Sequence, residues 1–526
     1  MEKIMLDDAN YYTTCYKDDK KRHMVVIAPG GGYDHTSLLE AFNVASKFNE
    51  NGFHASVLNY RETLDSYPYP QKLLAKTISE LRRDLRNDKI ISIGFSAGGH
   101  LALSNALFYN EYGFCSKPDY LILCYPVISS NYHIWHQGSF KALLGDNYNE
   151  ENLEKMSLER HITSDLCPIF IWHSITDESV SVLNSIELLQ ALKAKKNIVT
   201  ANKDLIASKG HALMELAKEN GCDLLFEAAV AGAIPIIRPL KQCLAGNYIS
   251  EIMGIVNGTT NFILTKMTKE GMDFDEALKI AQDLGYAEAD PTADIEGYDA
   301  ARKMAIMASI AFNTRVTFDD VATEGITKIT SKDIKYAKDM DCTIKLLGVA
   351  RNDGNGIEVM VHPMLISSNH PLATVNDSFN AVFVHGDAVD DAMFMGRGAG
   401  ELPTASAIMG DVIDSARNII HNCTARIGCT CYKSIPIKNI EDTKCKYFLR
   451  MQVSDKPGVL ASVASVLGNN DVGIDRVIQK TKKNGLAELV VITDLVLEKN
   501  FRDAITIFNG MSMINEISSI IRVYKN

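Results

Sequence analysis

The 526-residue chain contains no strand followed by a G-x-G-x-x-G turn, the arrangement that holds a dinucleotide pyrophosphate at a helix N-terminus. Its glycine-rich stretches, PGGGY from Pro29 and GRGAGE from Gly396, have other spacings. No basic tract interrupts a formal net charge of -11, which argues against nucleic acid as a main partner. No window approaches the roughly 18 apolar residues of a membrane span. The start, MEKIMLDDANYY, lacks the basic-then-apolar order of a secretory signal, so a cytoplasmic protein is expected. The cysteines have no paired metal-binding spacing. Even the densest group, Cys423, Cys429 and Cys431, reads as buried or incidental free thiols in a reducing compartment. No Gly/Ser/Pro-rich linker marks a boundary between complete modules, although the length calls for several cores rather than one.

Residues 1–196 alternate strand-like and helical stretches. HMVVIAP, KIISIGF, YLILCYP and PIFIW read as strands of a mainly parallel α/β sheet. Gly94-Phe95-Ser96-Ala97-Gly98 fits G-x-S-x-G, in which small residues let the backbone turn sharply and expose a serine near a helix N-terminus. PGGGY after an earlier strand supplies further free N–H groups. With these two loops the segment resembles the α/β-hydrolase family, specifically small esterases of the acetyl-xylan-esterase type. The resemblance implies Ser96 as nucleophile, Asp177 as the acid that orients a histidine, and Gly31, Gly32 and Ala97 as oxyanion donors. The family's last strand, histidine loop and closing helix are absent, because the pattern stops after SIELLQALKAKK. His211 in SKGHAL is the nearest substitute, although it also reads as part of the next segment's helix. If NIVTA added to the sheet in place of the missing strand, His211 would come near Ser96.

From residue 197 the pattern changes. NIVTANK, NGTTNFILTKM from Asn257, GYAEADPTADIEGYDAARKMAIMASIAF from Gly285 and GRGAGELPTASAIMGDVIDSAR follow in order. Asp299 and Lys303 are four apart on a predicted helix and share a face. That helix continues apolar nearly all round and is therefore expected to be buried. An acid-rich approach of Glu288, Asp290, Asp294 and Glu296 precedes it. A lysine ammonium beside a carbonyl can stabilise negative charge or deliver a proton. These motifs resemble the homoserine dehydrogenase family over nearly all of residues 197–435, without the family's first hundred or so residues. The resemblance implies a partial nucleotide-binding region at 197–245, a catalytic domain at 246–395 and a return to the nucleotide-binding region at 396–435. It implies Lys203 and Lys303 as catalytic lysines with Asp299. Glu288 would hold the amino group of an amino-acid substrate, with Asp294 beside the hydroxyl and Gly258 and Thr259 lining the substrate end. Lys203, Gly398, Ala399, Gly400 and Glu401 would meet NAD or NADP. Glu227, Val230, Gly232 and Ile234 would form a Na⁺ loop, and a homodimer or larger homo-oligomer is expected.

Residues 446–526 read as βαββαβ, a ferredoxin-like order. DKPGVLASV resembles the ACT domain, which implies an amino-acid effector at Asp455, Gly458, Val459 and Leu460, with threonine the family expectation. The expected fold class is thus α/β multidomain: a truncated α/β-hydrolase sheet, a partial Rossmann region with an α+β catalytic domain, and a ferredoxin-like ACT domain. ALKAKKNIVTANK, from Ala191, reads as the join between two incomplete coding sequences. The expected function is that of homoserine dehydrogenase, interconverting L-aspartate 4-semialdehyde and L-homoserine in threonine, methionine and isoleucine biosynthesis. The alternatives are a serine esterase, or an inactive remnant that binds an amino acid.

Overall fold

A computed structural model describes residues 2–112, 116–173, 179–187, 196–483 and 485–524. The chain divides into two compact units, one of residues 1–202, 212–225 and 411–428, the other of residues 203–211, 226–410 and 429–526.

The first unit is built on a seven-stranded sheet in the order β1-β2-β4-β3-β5-β6-β7. Its strands are β1 (Glu2–Met5), β2 (Tyr11–Cys15), β3 (Arg22–Ala28), β4 (His54–Asn59), β5 (Asn87–Phe95), β6 (Tyr120–Cys124) and β7 (Ile169–Trp172). From β4 through β7 the pairing is parallel, and β1 and β2 add antiparallel. The four strands read from the sequence are β3, β5, β6 and β7. Strand β4 escaped that reading because His54, Ser56 and Asn59 interrupt its apolar run, although all three are buried. Val25, Val26 and Ile27 of β3 are fully buried, as expected for a central parallel strand covered on both faces.

NIVTA does not extend this sheet. Its short strand β8 (Ile198–Val199) pairs in parallel with β9 (Leu224–Leu225) in a separate two-stranded sheet. The Ile198 N–H donates to Asp223 O at 2.9 Å and the Thr200 N–H to Leu225 O at 2.9 Å. The Asn197 side chain takes the Asp223 N–H at 2.7 Å, which fixes that register. Most of ALKAKK lies outside the described residues.

The second unit is one long sheet of eleven strands. Its main path runs β15 (Asp390–Arg397), β14 (Phe379–Gly386), β10 (Ile249–Ile255), β12 (Cys342–Asn352), β13 (Ile357–Ser367), β20 (Ile514–Val523), β16 (Lys444–Ser454), β18 (Leu486–Thr493) and β17 (Ile474–Lys483). Short strands β11 (Ala322–Thr323) and β19 (Val496–Leu497) pair with β13 and β16. The helix Tyr298–Ala311 packs over β10, β12 and β13 and is buried along most of its length, as its apolar circumference predicts. It approaches so closely that a methyl group added at Gly348 of β12 would fall 2.2 Å from the Met304 side chain.

The βαββαβ order at the C-terminus is present, with helices Val459–Asn469 and Glu498–Asn509. Its outer strand β20 pairs in parallel with β13 through Met364↔Arg522 and Leu365↔Val523, making the two sheets continuous. A buried polar cluster sits at this seam. The Arg522 guanidinium donates to both Glu498 oxygens at 2.9 Å, to Glu324 at 3.2 Å and meets His362 Nδ1 at 3.0 Å, while Tyr447 OH donates to Glu498. Burial, with the Arg522 charge behind it, brings His362 down to about 4, so it is neutral at pH 7. Among the described residues no helix is long and apolar enough to cross a membrane.

Candidate active site

Three helices that reach into the second unit converge on one carboxylate. Asp299 lies in the first turn of the Tyr298–Ala311 helix, one turn before Lys303. Lys203 starts the Lys203–Glu219 helix, and Asn257 caps the Gly258–Glu270 helix, its Oδ1 accepting the Thr260 N–H at 2.8 Å. Lys303 Nζ donates to Asp299 Oδ2 and to Val256 O, both at 2.7 Å. Lys203 Nζ donates to Asp299 Oδ1. Asn257 Nδ2 bridges Asp299 Oδ2 at 3.0 Å and Asp294 Oδ1 at 2.7 Å.

Burial disfavours the Asp299 carboxylate, yet the Lys303 and Lys203 ammonium groups outweigh it and hold this group well below the usual carboxylate range. Asp294 moves the other way, raised by burial and by the neighbouring Asp299 charge. Burial works against the Lys203 ammonium, but Asp299 more than compensates and its pKa is raised. An ammonium has three protons. Lys303 commits two and its side chain is 11% exposed; Lys203 commits one among the described residues and is 36% exposed. Lys203 is therefore the ammonium with protons to offer a ligand.

The arrangement includes Lys203, Lys303, Asp299 and Asp294. Thr259 adjoins them in the chain after Asn257, its hydroxyl donating to Tyr286 O at 2.6 Å. Glu288 stays apart: its side chain is exposed and makes no bond to this cluster among the described residues, and its carbonyl takes Gln282 at 3.1 Å. Asn257 and Asn380 were missed. Asn257 could have been noticed as the helix-capping asparagine of NGTTN. Asn380 is a lone amide in the apolar strand β14. It is 1% exposed, and neither its Nδ2 nor its Oδ1 has a hydrogen-bond partner among the described residues. It packs against Gly258 and Gly398, where an added methyl would meet it at 3.5 Å and 1.9 Å.

The glycine loop also meets the expected cation loop. Ala231 and Gly232 have φ +55° and +54°, and a methyl at Gly232 would lie 2.5 Å from Gly398 O. The Glu227 carboxylate accepts the N–H groups of Ile236, Ile237 and Arg238 at 2.7–2.9 Å, which pins this loop, and Val230 and Ile234 are buried within it. Ala399, Gly400 and Glu401 are exposed. An unsatisfied buried amide beside close-packed glycines fits the reactive end of a nicotinamide dinucleotide. The pyrophosphate end does not fit: the strand–glycine–helix turn is absent from the sequence, and among the described residues the β8–β9 ladder has two strands.

In the first unit, Ser96 sits between β5 and the Ala97–Leu107 helix with φ +51° and ψ -117°. Methyl groups at Gly94 and Gly98 would lie 2.1 Å from Gly98 O and 2.0 Å from Ala28 O, so the turn requires glycine at both positions. The PGGGY loop touches it, since a methyl at Gly30 would lie 3.1 Å from Ser96 Cβ; Gly31 and Gly32 follow at φ +121° and +64°, and Ala97 is fully buried. No histidine bonds the Ser96 hydroxyl among the described residues, and Asp177 lies outside them. His211 belongs to the second unit, where its Nδ1 meets Cys429 Sγ at 3.2 Å. At the C-terminal domain Gly458, with φ +89°, precedes the Val459–Asn469 helix. Val459 is buried, Leu460 exposed, and the Asp455 N–H donates to Gly485 O at 2.9 Å.

A buried carboxylate clamped by two lysines, with acid, amide and glycine loops around it, is an arrangement able to stabilise changing charge on a ligand oxygen. Comparisons with known proteins name the chemistry. The homoserine dehydrogenase family model matches residues 235–413, the NAD-binding domain of homoserine dehydrogenase matches residues 183–227, and the ACT domain matches residues 447–509. The homoserine dehydrogenase of Bacillus subtilis is 44% identical over 359 residues, covering 66% of this chain and 82% of that one. That of Corynebacterium glutamicum is 46% identical over 360 residues, covering 66% and 80%. A solved homoserine dehydrogenase from Thiobacillus denitrificans is 32% identical with TM-score 0.66, over 83% of this chain and 98% of that one. The chain belongs to the homoserine dehydrogenase family of oxidoreductases, with an NAD-binding part, a catalytic domain and a C-terminal ACT domain.

Proposed function

We propose that the second unit interconverts L-homoserine and L-aspartate 4-semialdehyde, a step of threonine, methionine and isoleucine biosynthesis, with Lys203, Lys303 and Asp299 as its catalytic group. The observation that carries this reading is the doubly clamped, buried Asp299. When bound, NAD or NADP supplies the hydride or accepts it. Lys203 directs its uncommitted protons to the substrate oxygen, stabilising negative charge as it develops and delivering the proton that completes the alcohol. Asp299 holds both ammonium groups in place and keeps Lys203 protonated. Thr259 and Asp294 line the hydroxyl side, and Gly258 leaves room for substrate. Glu288, from its exposed loop, would take the amino group. The carbonyls of Glu227, Val230, Gly232 and Ile234 are where a monovalent cation such as Na⁺ would sit. Gly398, Ala399, Gly400 and Glu401 belong to the cofactor side. Threonine is the ligand we assign to the ACT domain, around Asp455 to Leu460, in a cytosolic homo-oligomer; the ten free cysteines among the described residues support a reducing compartment. The test is homoserine-dependent reduction of NADP⁺ and NAD⁺ by the full chain, with Lys303→Ala as control. Turnover lost in the variant supports the assignment. A folded chain that never turns over, yet shifts its melting temperature with threonine, would replace it with an amino-acid-binding remnant.

For the first unit we propose an α/β-hydrolase-type sheet with Ser96 at its elbow. The support is the positive φ of Ser96 between two obligatory glycines. A fluorophosphonate probe should label the chain, and Ser96→Ala should abolish the label. Equal labelling of both would end this reading.

A further inference from the structure

The peptide segment Ile427–Lys433, IGCTCYK, carries two partly buried cysteines that the dehydrogenase reading does not use. A tight turn, with the Tyr432 N–H donating to Thr430 O at 2.9 Å, folds Cys431 back toward Cys429. The Cys431 N–H reaches Cys429 Sγ at 3.5 Å, which keeps the two cysteines on one tight turn. His211 Nδ1 is 3.2 Å from Cys429 Sγ on its other side. Cys431 Sγ also lies 3.8 Å from Ser309 O, on the helix that bears Asp299 and Lys303.

The surrounding charges favour a thiolate here. Lys241, its ammonium 4.9 Å over the Phe226 ring, interacts with both sulfurs, and Arg315 with Cys431. The acids nearby in chain or field are Glu227, which acts on Lys241, and Glu215, one turn beyond His211 on the same helix. The Cys431 thiol, and then the His211 ring, lower the Cys429 pKa against the effect of burial, while the neighbouring Cys429 sulfur, with burial, drives Cys431 up. One proton thus stays on Cys431 and Cys429 carries the charge.

We propose that Cys429 and Cys431 form a peroxide-reactive thiol pair, with Cys429 the attacking and Cys431 the resolving sulfur. Cys429 Sγ attacks one oxygen of a hydroperoxide: an S–O bond forms, the O–O bond breaks, and the leaving oxygen departs as water or alcohol after taking a proton. Cys431 Sγ then attacks the sulfenic sulfur. The S–S bond forms, the S–O bond breaks, and water leaves with the Cys431 proton. The two thiols lose two electrons and the peroxide gains them. This pair links the helix that begins at Lys203 to the helix that bears Lys303, through His211 and Ser309.

The test reads thiol chemistry alone, so it stands whether or not the chain oxidises homoserine. The full chain is alkylated with iodoacetamide between pH 6 and 8, with N-acetylcysteine as reference, and Ile427–Lys433 is followed by mass spectrometry. The reference rate should climb about tenfold per pH unit, as for any thiol below its pKa, while the rate at Cys429 stays level. Equimolar hydrogen peroxide should remove two hydrogens from this peptide. In Cys431→Ser it should instead leave a dimedone adduct at Cys429. A Cys429 rate that climbs with the reference, or a peptide left unoxidised by peroxide, overturns the proposal.

Discussion

Replacing Asp299 by asparagine keeps the shape of the site and removes the carboxylate charge that clamps both lysines. At 2.7 Å the Asp299–Lys303 attraction is about 6 kcal/mol for an effective dielectric constant near 20. Desolvation of both charges offsets most of that, but breaking a buried pair from one side still costs about 3–5 kcal/mol, because the partner charge stays buried. Asparagine can still accept one hydrogen bond, which places the expected loss near the lower figure, about 3 kcal/mol. Lys203, at 36% exposure, is screened by solvent and adds no more than about 1 kcal/mol. At about 2 °C per kcal/mol for a domain of this size, the melting temperature of the second unit should fall by about 6 °C in Asp299→Asn. The drop should be comparable in Lys303→Met and about 2 °C or less in Lys203→Met. Both tryptophans, Trp135 and Trp172, lie in the first unit, so a transition seen by calorimetry and not by tryptophan fluorescence belongs to the second. The pH dependence has a definite sign. Asp299 has a depressed folded-state pKa, so its contribution is fully present above the unfolded value near 4 and is lost as pH falls through the folded value below it. The gap between parent and variant should be level from pH 8 to 5 and close only in stronger acid. A variant that melts with its parent at pH 7, or a gap that changes between pH 5 and 8, would refute the ion-pair account.

Three further perturbations separate ligand contacts from scaffold. Asn380→Ala removes an amide with no partner among the described residues, so homoserine or cofactor KM should rise about tenfold, one hydrogen bond's worth, with no loss of stability; unchanged kinetics with a raised melting temperature would mark Asn380 as mere buried cost. Gly232→Ala places a methyl 2.5 Å from Gly398 O at φ +54°, and the displaced loop should lower kcat/KM by about 100-fold in steady-state assays, whereas a loss under twofold would show that the two loops need not touch. Arg522→Met leaves Glu498 and Glu324 without the guanidinium that joins them; calorimetry should show a loss of about 3–5 kcal/mol, and a loss below about 1 kcal/mol would mean the seam between β13 and β20 is held by its backbone pairs alone.

What could be read from the sequence depended on how local its cause is. Ser96 stands out because its turn needs small residues at fixed spacing, and Asp299 with Lys303 because four residues is one helical turn. Neither periodicity nor spacing joins Lys203 to Asp299 across 96 positions; only the family resemblance did. The βαββαβ order was legible from alternating patterns, whereas the β13–β20 join rests on two paired residues, and a strand buried at an edge reads like any other. The failed extension by NIVTA has the same origin, since β-propensity does not choose the partner. Polar residues inside apolar strands show the limit most clearly. His54 in β4 and Asn380 in β14 make the same interruption in sequence. His54 uses both ring nitrogens, toward the Lys17 N–H and Lys20 O at 3.0 Å each, and is thereby accounted for as structure. Asn380 has neither amide atom satisfied. An unmet hydrogen-bonding capacity in a buried place costs about 1–3 kcal/mol, and a chain that keeps such a group beside its glycine loops holds it where a ligand can meet it. That distinction lies in a count of partners, which no pattern of residue types contains.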